Sequence, residues 1–176
     1  YKAAAEISET PYYYAVFAKT VIHDDFMFNH QPDWLSNPKH YIFYAYNPVL
    51  DYSYGHGGVK MYDVEWMKQV KPEDIKLDVT LSHDVEVIPE ISCINVFASP
   101  WDAWRTAFRE AYKLAGDESV ESRYRLKLWT TKENTDMGSH SKAGALSAVE
   151  HYNNTKDDKR INDWNWLKEQ FRKQYP

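Results

Sequence analysis

Two continuous apolar runs in the first third of the chain, Tyr12–Phe17 and Tyr41–Tyr46, predict buried β-strands. Because their hydrophobic residues follow one another without alternating with polar ones, both faces of each strand should be covered, as in a parallel sheet. An alanine-rich helix should precede the first strand and end near Glu9, because Pro11 cannot continue it. A helix followed closely by such a strand is typical of an α/β fold.

The middle of the chain predicts shorter elements around a glycine-rich segment. Gly55–Gly58 is interpreted as a loop, since glycines permit positive φ or a close approach of the backbone. A short strand over Val59–Tyr62 and a short helix over Asp63–Val70 should follow. One or two strands are expected between residues 80 and 98, and the clearest of them is Ile94–Phe97.

The C-terminal half predicts helices. Ser99 is a suitable N-cap, Pro100 suits the first helical position, and Gly116 should end the helix that they begin. The buried face of this helix should carry four aromatic residues at helical spacing: Trp101, Trp104, Phe108 and Tyr112. Two further helices are expected, roughly over Ser141–Tyr152 and Asn162–Lys173.

These elements predict one α/β domain over residues 1–176, with a mostly parallel central sheet and flanking helices. Hydrophobic residues make up 43% of the chain and aromatic residues 16%, which excludes an intrinsically disordered chain. Most of the 7 Trp and 14 Tyr rings should pack in the core, but flat rings at a surface also suit sugars, bases or partner proteins. The formal net charge of −5 argues against general binding to phosphate backbones.

The single cysteine, Cys93, lies in an apolar run and is expected to be a buried core residue. One thiol forms neither a disulfide framework nor a zinc cluster, which fits a reducing compartment. No apolar run is long enough to span a bilayer, so no membrane partner is expected. The chain begins within a predicted helix rather than at a methionine, and we expect the natural protein to extend upstream or to have been cut.

Short blocks along nearly the whole chain become specific when their order and spacing are taken together. After the alanine-rich helix, they are His23–Phe26 with its acidic pair, Asn47–Pro48, Tyr54–Lys60, Asn95–Phe97, Trp104–Glu110, Arg125–Trp129, Ala143–Ala145, Ile161–Trp164 and Trp166–Glu169. In this arrangement the chain resembles the C-terminal, acceptor-side part of the GT-A-like glycosyltransferases predicted in large tailed phages, of the DNA-base-modifying, TET-associated type. Some of that family are linked with modification of hydroxymethylated bases in phage DNA.

The resemblance implies transfer of a hexose from a nucleotide sugar to a hydroxyl group, with a modified DNA base as an acceptor, in the host cytoplasm or in a virion. The family would use Mn²⁺ or Mg²⁺, held by an Asp-x-Asp motif at the end of the first strand, because paired carboxylates suit a hard cation. Here the corresponding stretch is Val16–Thr20, in which Phe17 and Lys19 replace acids. No metal cofactor is therefore expected in this chain, and Lys19 becomes a candidate for neutralising a phosphate itself.

The resemblance also implies a nucleotide-binding βαβ segment before the first strand, and these 176 residues lack it. A donor-binding segment upstream, or another phage protein, is therefore the expected partner, and the isolated chain is not expected to be catalytic. The alternative is a non-catalytic interaction or structural module of a larger phage protein or virion assembly. Damaged metal ligands and abundant aromatic residues would both suit that alternative.

The candidate acceptor-side residues are Gly57, Gly58 and Lys60, whose backbone would lie close to a sugar; a tight turn between strands is the other interpretation. Glu90 is the candidate catalytic base, because an inverting transferase needs a carboxylate that deprotonates the acceptor hydroxyl, and burial would raise its pKa toward that task. Two acids nearby are rivals: Asp84 and Glu86.

Three basic residues recur at i, i+4 and i+8 on the capped helix and are candidates for meeting a phosphate: Arg105, Arg109 and Lys113. Salt bridges with neighbouring acids are the simpler account of this stripe. Weak metal candidates are Asp24 and Asp25, with His23, and His140 near the start of a predicted helix. A solvated turn and a loop histidine without a ligand are the alternatives at these positions.

Overall fold

The structure, a computed structural model, describes residues 1–37, 39–75 and 83–176. It divides into two compact units. The sheet unit comprises residues 1–47 and 52–96, and the helical unit comprises residues 48–51 and 97–176. Within the described residues, no helix combines the length and the apolar character needed to cross a membrane.

In the described part of the chain, five strands form the sheet: β1 (Tyr12–Val16), β2 (Thr20–Ile22), β3 (His40–Asn47), β4 (Tyr52–Asp63) and β5 (Val85–Asn95). Their order across the sheet is β1-β4-β3-β5-β2. The β1–β4, β3–β4 and β2–β5 pairs are antiparallel, and the β3–β5 pair is parallel. The predicted mostly parallel sheet is therefore wrong, and so is the distal part of a GT-A-like fold that was expected to contain it. The fold is mixed α/β with a mostly antiparallel sheet.

The two apolar runs are partly rather than continuously buried, and their coverage has a different cause from the one predicted. One face of β1 and β4 packs against α1 (Lys2–Ile7) and α2 (Val64–Gln69), and Ala5 and Tyr62 are fully buried there. The other face packs against the segment between β2 and β3, whose Phe26 joins the core. Helices and a loop thus cover both faces of antiparallel strands, so continuous hydrophobicity reports coverage and not strand direction.

The sheet curls into a nearly closed barrel because its two edge strands are joined by only three residues, Phe17–Lys19. The Phe17 amide donates a hydrogen bond to the Gly58 carbonyl of β4 at 2.9 Å. The Val96 amide, just beyond β5, donates to the Lys19 carbonyl at 3.1 Å. The two edges must therefore approach each other at this end of the sheet.

Gly58 permits this closure because nothing projects from its α-carbon toward β5. A Cβ at this position would overlap the sulfur of the buried Cys93 and would lie 3.1 Å from Cγ2 of Thr20. The predicted loop over Gly55–Gly58 and the predicted short strand over Val59–Tyr62 are in fact one 12-residue strand, β4. A glycine that allows close approach inside a sheet has the same sequence signature as a glycine in a loop.

The remaining elements of the sheet unit agree better with prediction. β5 confirms a strand between residues 80 and 98, although it starts earlier than Ile94–Phe97 and ends at Asn95; residues 80–82 lie outside the described part. α2 confirms the helix predicted over Asp63–Val70. The Asp63 carboxylate accepts a hydrogen bond from the Trp66 amide at 2.9 Å, which caps this helix.

The helical unit contains four α-helices in the described residues: α3 (Pro100–Ala115), α4 (Val120–Thr131), α5 (Gly138–Thr155) and α6 (Trp164–Gln174). α3 confirms the capped helix, because the Ser99 hydroxyl accepts a hydrogen bond from the Asp102 amide at 3.2 Å. Of its aromatic stripe, Trp104, Phe108 and Tyr112 are buried, whereas Trp101 is half-buried. α5 and α6 confirm the two later helices, and α4 was not predicted.

α3 and α5 pack with their backbones in close contact. A Cβ at Gly144 of α5 would overlap the carbonyl oxygen of Trp104, so only glycine fits at this crossing. The Trp104 indole donates a hydrogen bond to the Gln174 side chain at 2.9 Å, and that side chain donates to the Ser147 hydroxyl at 2.6 Å. These bonds fasten the end of α6 to the α3–α5 pair.

His40 is a buried polar residue between the sheet and α2. Its Nδ1 accepts a hydrogen bond from the Asp63 amide at 3.2 Å, and its ring lies edge-on to that of Trp66 at 5.0 Å. The ring of His83 is 4.7 Å away. Burial, together with the nearby His83 and Lys60, lowers the pKa of His40 to about 3.

Substitution of Gly58 tests the closure of the barrel. Gly58→Ala should lower the free energy of unfolding by about 1–3 kcal/mol, because the new methyl group overlaps the Cys93 sulfur. Chemical denaturation measures this, with Gly57→Ala as the control, since a Cβ there meets the flexible end of Lys60 and otherwise lies at an ordinary contact distance of 3.9 Å from the Phe17 ring. In a double-mutant cycle, Cys93→Ala should restore part of the unfolding free energy that Gly58→Ala removes. If the effects of the two substitutions on the unfolding free energy simply add, the proposed contact is contradicted.

The buried His40 predicts a loss of stability in acid. The unfolded chain takes up a proton near the ordinary pKa of 6.5, whereas folded His40 stays neutral down to about pH 3. As the pH decreases from 6.5 to about 3, the free energy of unfolding should therefore fall by about 1.4 kcal/mol for each pH unit. Denaturant melts between pH 7 and pH 4 should show a shallower slope for His40→Asn than for wild type or for the control His23→Gln. Equal slopes for wild type and His40→Asn would contradict this.

Candidate functional site

Four of the predicted substrate-binding residues meet at the closed end of the barrel: Lys19, Gly57, Gly58 and Lys60. Lys19 lies in the connection between β1 and β2, and the other three residues lie on β4, which pairs with β1. We call this region, formed by residues 17–20 and 57–60, the turn site. It forms because barrel closure brings the connection against β4.

The connection itself is a tight turn closed by two hydrogen bonds. The Thr20 amide donates to the Phe17 carbonyl at 3.1 Å, and the Thr20 hydroxyl donates to the same oxygen at 2.7 Å. Ala18 and Lys19 therefore stand at the tip of the turn, where Lys19 is half-buried. The backbone that carries Lys19 is fixed on both sides, because its carbonyl also accepts the hydrogen bond from β5.

Lys60 is a charged residue with only 4% of its surface exposed. Its Nζ lies 5.7 Å from the centroid of the Phe17 ring, which suits a cation–π contact. Gly57 leaves room for this side chain, because a Cβ there would lie 2.9 Å from Cε of Lys60. The turn site therefore holds a second ammonium group close to the turn that carries Lys19.

Asn95 borders the turn site, since its Oδ1 would lie 3.8 Å from a Cβ at Gly58, but it was not predicted as a functional residue. It pairs with Thr20 across the β2–β5 ladder, and only 6% of its surface is exposed. Among the described residues its side-chain nitrogen has no hydrogen-bond partner. A buried donor without a partner costs roughly 1–3 kcal/mol, so this amide is suited to donate to an acceptor atom of a ligand. In the sequence, the only indication that Asn95 could have a function was its position in the Asn95–Phe97 block of the resemblance.

The predicted basic stripe lies in the helical unit, and its arginines are engaged in contacts within that unit. Arg105 donates to Asp102 at 2.8 Å, and its guanidinium lies 4.1 Å from the ring centroid of Trp164. Arg109 donates to the Asn162 side chain at 2.9 Å. Intramolecular contacts thus account for the stripe, as the salt-bridge interpretation held.

Glu90, the candidate base, is exposed on β5. Burial raises the pKa of Tyr14, and the Glu90 carboxylate adds to this rise, which places the two groups near each other. The burial that would adapt Glu90 to general-base catalysis is absent. Of its two rivals, Glu86 is paired with Lys39 at 2.7 Å and Asp84 is exposed.

The metal candidates do not assemble into a cation site. Asp24 and Asp25 lie in a turn after β2, where the Asp25 amide donates to Nδ1 of His23 at 3.4 Å. His140 lies in the first turn of α5, and its ring is 4.8 Å from that of Tyr175. Within the described residues, no group of three or more His, Cys, Asp or Glu side chains could hold a metal ion.

The end of β1 likewise does not fit the divalent cation that the resemblance implies. The side chains there are those of Phe17 and Lys19, with Lys60 nearby, and neither a phenyl ring nor an ammonium group ligates a hard cation. Two lysines on neighbouring segments, with the unpartnered amide donor of Asn95 on β5, suit an anion with oxygen acceptors, such as a phosphate.

We compared the chain with protein-family models, with curated proteins and with solved structures, and none of them matches it. Interpretation of the turn site therefore depends on its residues and its geometry.

Proposed function

We propose that this chain is part of a glycosyltransferase, in which the turn site binds the diphosphate of a nucleotide sugar without a metal ion. The convergence of Lys19, Lys60 and the unpartnered amide of Asn95 at the closed end of the barrel carries this proposal. The resemblance of the ordered sequence blocks to phage glycosyltransferases supports it.

The proposed reaction needs positive charge where the turn site has it. The acceptor oxygen forms a bond to the anomeric carbon while the bond from that carbon to the diphosphate oxygen breaks, and the diphosphate leaves with additional negative charge. Ammonium groups held beside that oxygen stabilise the transition state more than the ground state. The acceptor hydroxyl loses its proton to a base, a role for which the exposed Glu90 lacks the expected burial.

The acceptor that the resemblance suggests is a hydroxymethylated base of phage DNA. With a formal net charge of −5, the chain is not suited to hold a long phosphate backbone. The chain would therefore recognise the base and its hydroxymethyl group rather than the phosphate backbone. A partner segment that binds the donor nucleotide is part of this proposal.

The second candidate is a non-catalytic interaction module. It is favoured by one observation, that Phe17 and Lys19 occupy the position where the family would bind its metal. A non-catalytic module would not need side chains that bind a metal ion. The two candidates differ in whether Lys19 and Lys60 are needed for turnover of a nucleotide sugar.

Lysine substitutions test the proposal in the full natural reading frame. With UDP-glucose and other UDP-sugars, release of UDP should proceed equally in EDTA and in Mn²⁺. Lys19→Met and Lys60→Met should each slow it roughly 10- to 100-fold, since one charge-assisted hydrogen bond contributes roughly 1.5–3 kcal/mol. A coupled UDP-release assay measures this. Lys68→Met on α2 is the control, because that lysine pairs with Glu65 at the surface.

Thermal melts of each variant separate loss of activity from loss of folding, and Lys60→Arg keeps the charge if Lys60→Met is unstable. Release that requires Mn²⁺, or that survives both methionine substitutions, would contradict metal-free binding at the turn site. Absence of turnover with every UDP-sugar would favour the interaction module.

A further inference from the structure

Between β2 and β3 the sheet unit displays two large apolar side chains at the tip of a turn. Trp34 is 65% exposed and Leu35 is 98% exposed. The Asp33 carboxylate holds this turn by accepting hydrogen bonds from the Leu35 amide at 3.0 Å and from the Ser36 hydroxyl at 2.6 Å. The Asp33 carbonyl also accepts from the Ser36 amide at 3.1 Å. Local structure thus fixes the turn that exposes Trp34.

Trp34 lies at one end of a row of ring contacts along one face of the sheet. Its ring centroid is 6.0 Å from that of Tyr12, which is 5.9 Å from that of Tyr41. The Tyr12 hydroxyl is hydrogen-bonded to Tyr41 and to the backbone of Lys39. The partly exposed Tyr12 ring is therefore fixed beside the exposed indole at an interplanar angle of 63°, so the indole supplies the flat face and Tyr12 borders it. We call this pair the aromatic platform.

Among the described residues, the charged groups that surround Lys39 beside the platform are mainly acidic. Lys39 pairs with Glu86 at 2.7 Å, and Asp33 and Asp84 also act on the Lys39 ammonium. Three carboxylates against one ammonium repel a ligand that carries phosphates. Carboxylate oxygens and a tyrosine hydroxyl are instead partners for neutral hydroxyl groups.

We propose that Trp34 and Tyr12, flanked by Asp33 and Glu86, bind a pyranose ring of a neutral carbohydrate chain. The C–H face of a pyranose is apolar and packs on an exposed indole, while its hydroxyl groups extend sideways to hydrogen-bonding side chains. Nucleobases could stack on the same ring, but their phosphates would meet the acidic surroundings. The platform lies near the start of β1, opposite the end that carries the turn site, and does not depend on the proposed transfer reaction.

Calorimetric titration with soluble hexasaccharides tests this proposal, using cellohexaose, maltohexaose, xylohexaose and chitohexaose as probes. At least one should bind the wild-type chain, and Trp34→Ala should weaken its binding at least about 10-fold. Trp34→Tyr should keep most of the affinity, because it preserves an aromatic face. Leu35→Ser is the matched control from the same turn and should bind as wild type does. Lys19→Met should also bind normally, which separates this proposal from the turn site.

Binding that survives Trp34→Ala would overturn the proposal, as would an absence of binding to all four probes at about 10 mM. A thymidine dodecamer is titrated as a further probe, in the same way as the hexasaccharides. If it binds in a Trp34-dependent manner and the hexasaccharides do not, the platform stacks nucleobases and the carbohydrate proposal is wrong. Because Trp34 is exposed, thermal melts of its variants should match wild type.

Discussion

The three-residue connection between β1 and β2 is the constraint on which the sheet unit depends. It joins strands that stand at opposite edges of the sheet, so the sheet must curl until those edges approach. Closure then requires a position without a side chain where β4 meets β5, and Gly58 supplies it above the buried sulfur of Cys93. The same closure brings Lys19 against β4 and so creates the turn site. Fold and candidate chemistry therefore share one cause.

Buried polar groups in the sheet unit fall into two kinds. His40 is explained by the fold, because its Nδ1 is bonded to the Asp63 amide and its ring packs against Trp66, while burial keeps it neutral. Lys60 and Asn95 are buried at the closed end, where packing alone would favour apolar residues. The Asn95 amide nitrogen has no partner among the described residues, and this cost is best understood if a ligand offsets it.

Local signals in the sequence were sufficient where structure is local. Ser99, Pro100 and Gly116 located α3, because a cap and a stop depend on the few residues around them. The positions of β1, β3 and β5 were found, but β2 was missed and part of β4 was predicted as a loop. Strand directions were not found, since pairing joins distant segments. α4 was missed because its apolar residues do not gather on one face. Within the site, Lys19 and the glycines were recognised by residue type, whereas Asn95 was missed because its burial exists only after the barrel closes.

β1 separates two chemically different ends of one small sheet. Lys19 and Lys60 lie at the C-terminal end of β1, and an exposed indole and three carboxylates lie near its start. Five residues at about 3.3 Å each separate these ends by roughly 16 Å. A ligand with an anionic part and a neutral part would be oriented by this arrangement, since either part placed at the wrong end loses its favourable contacts.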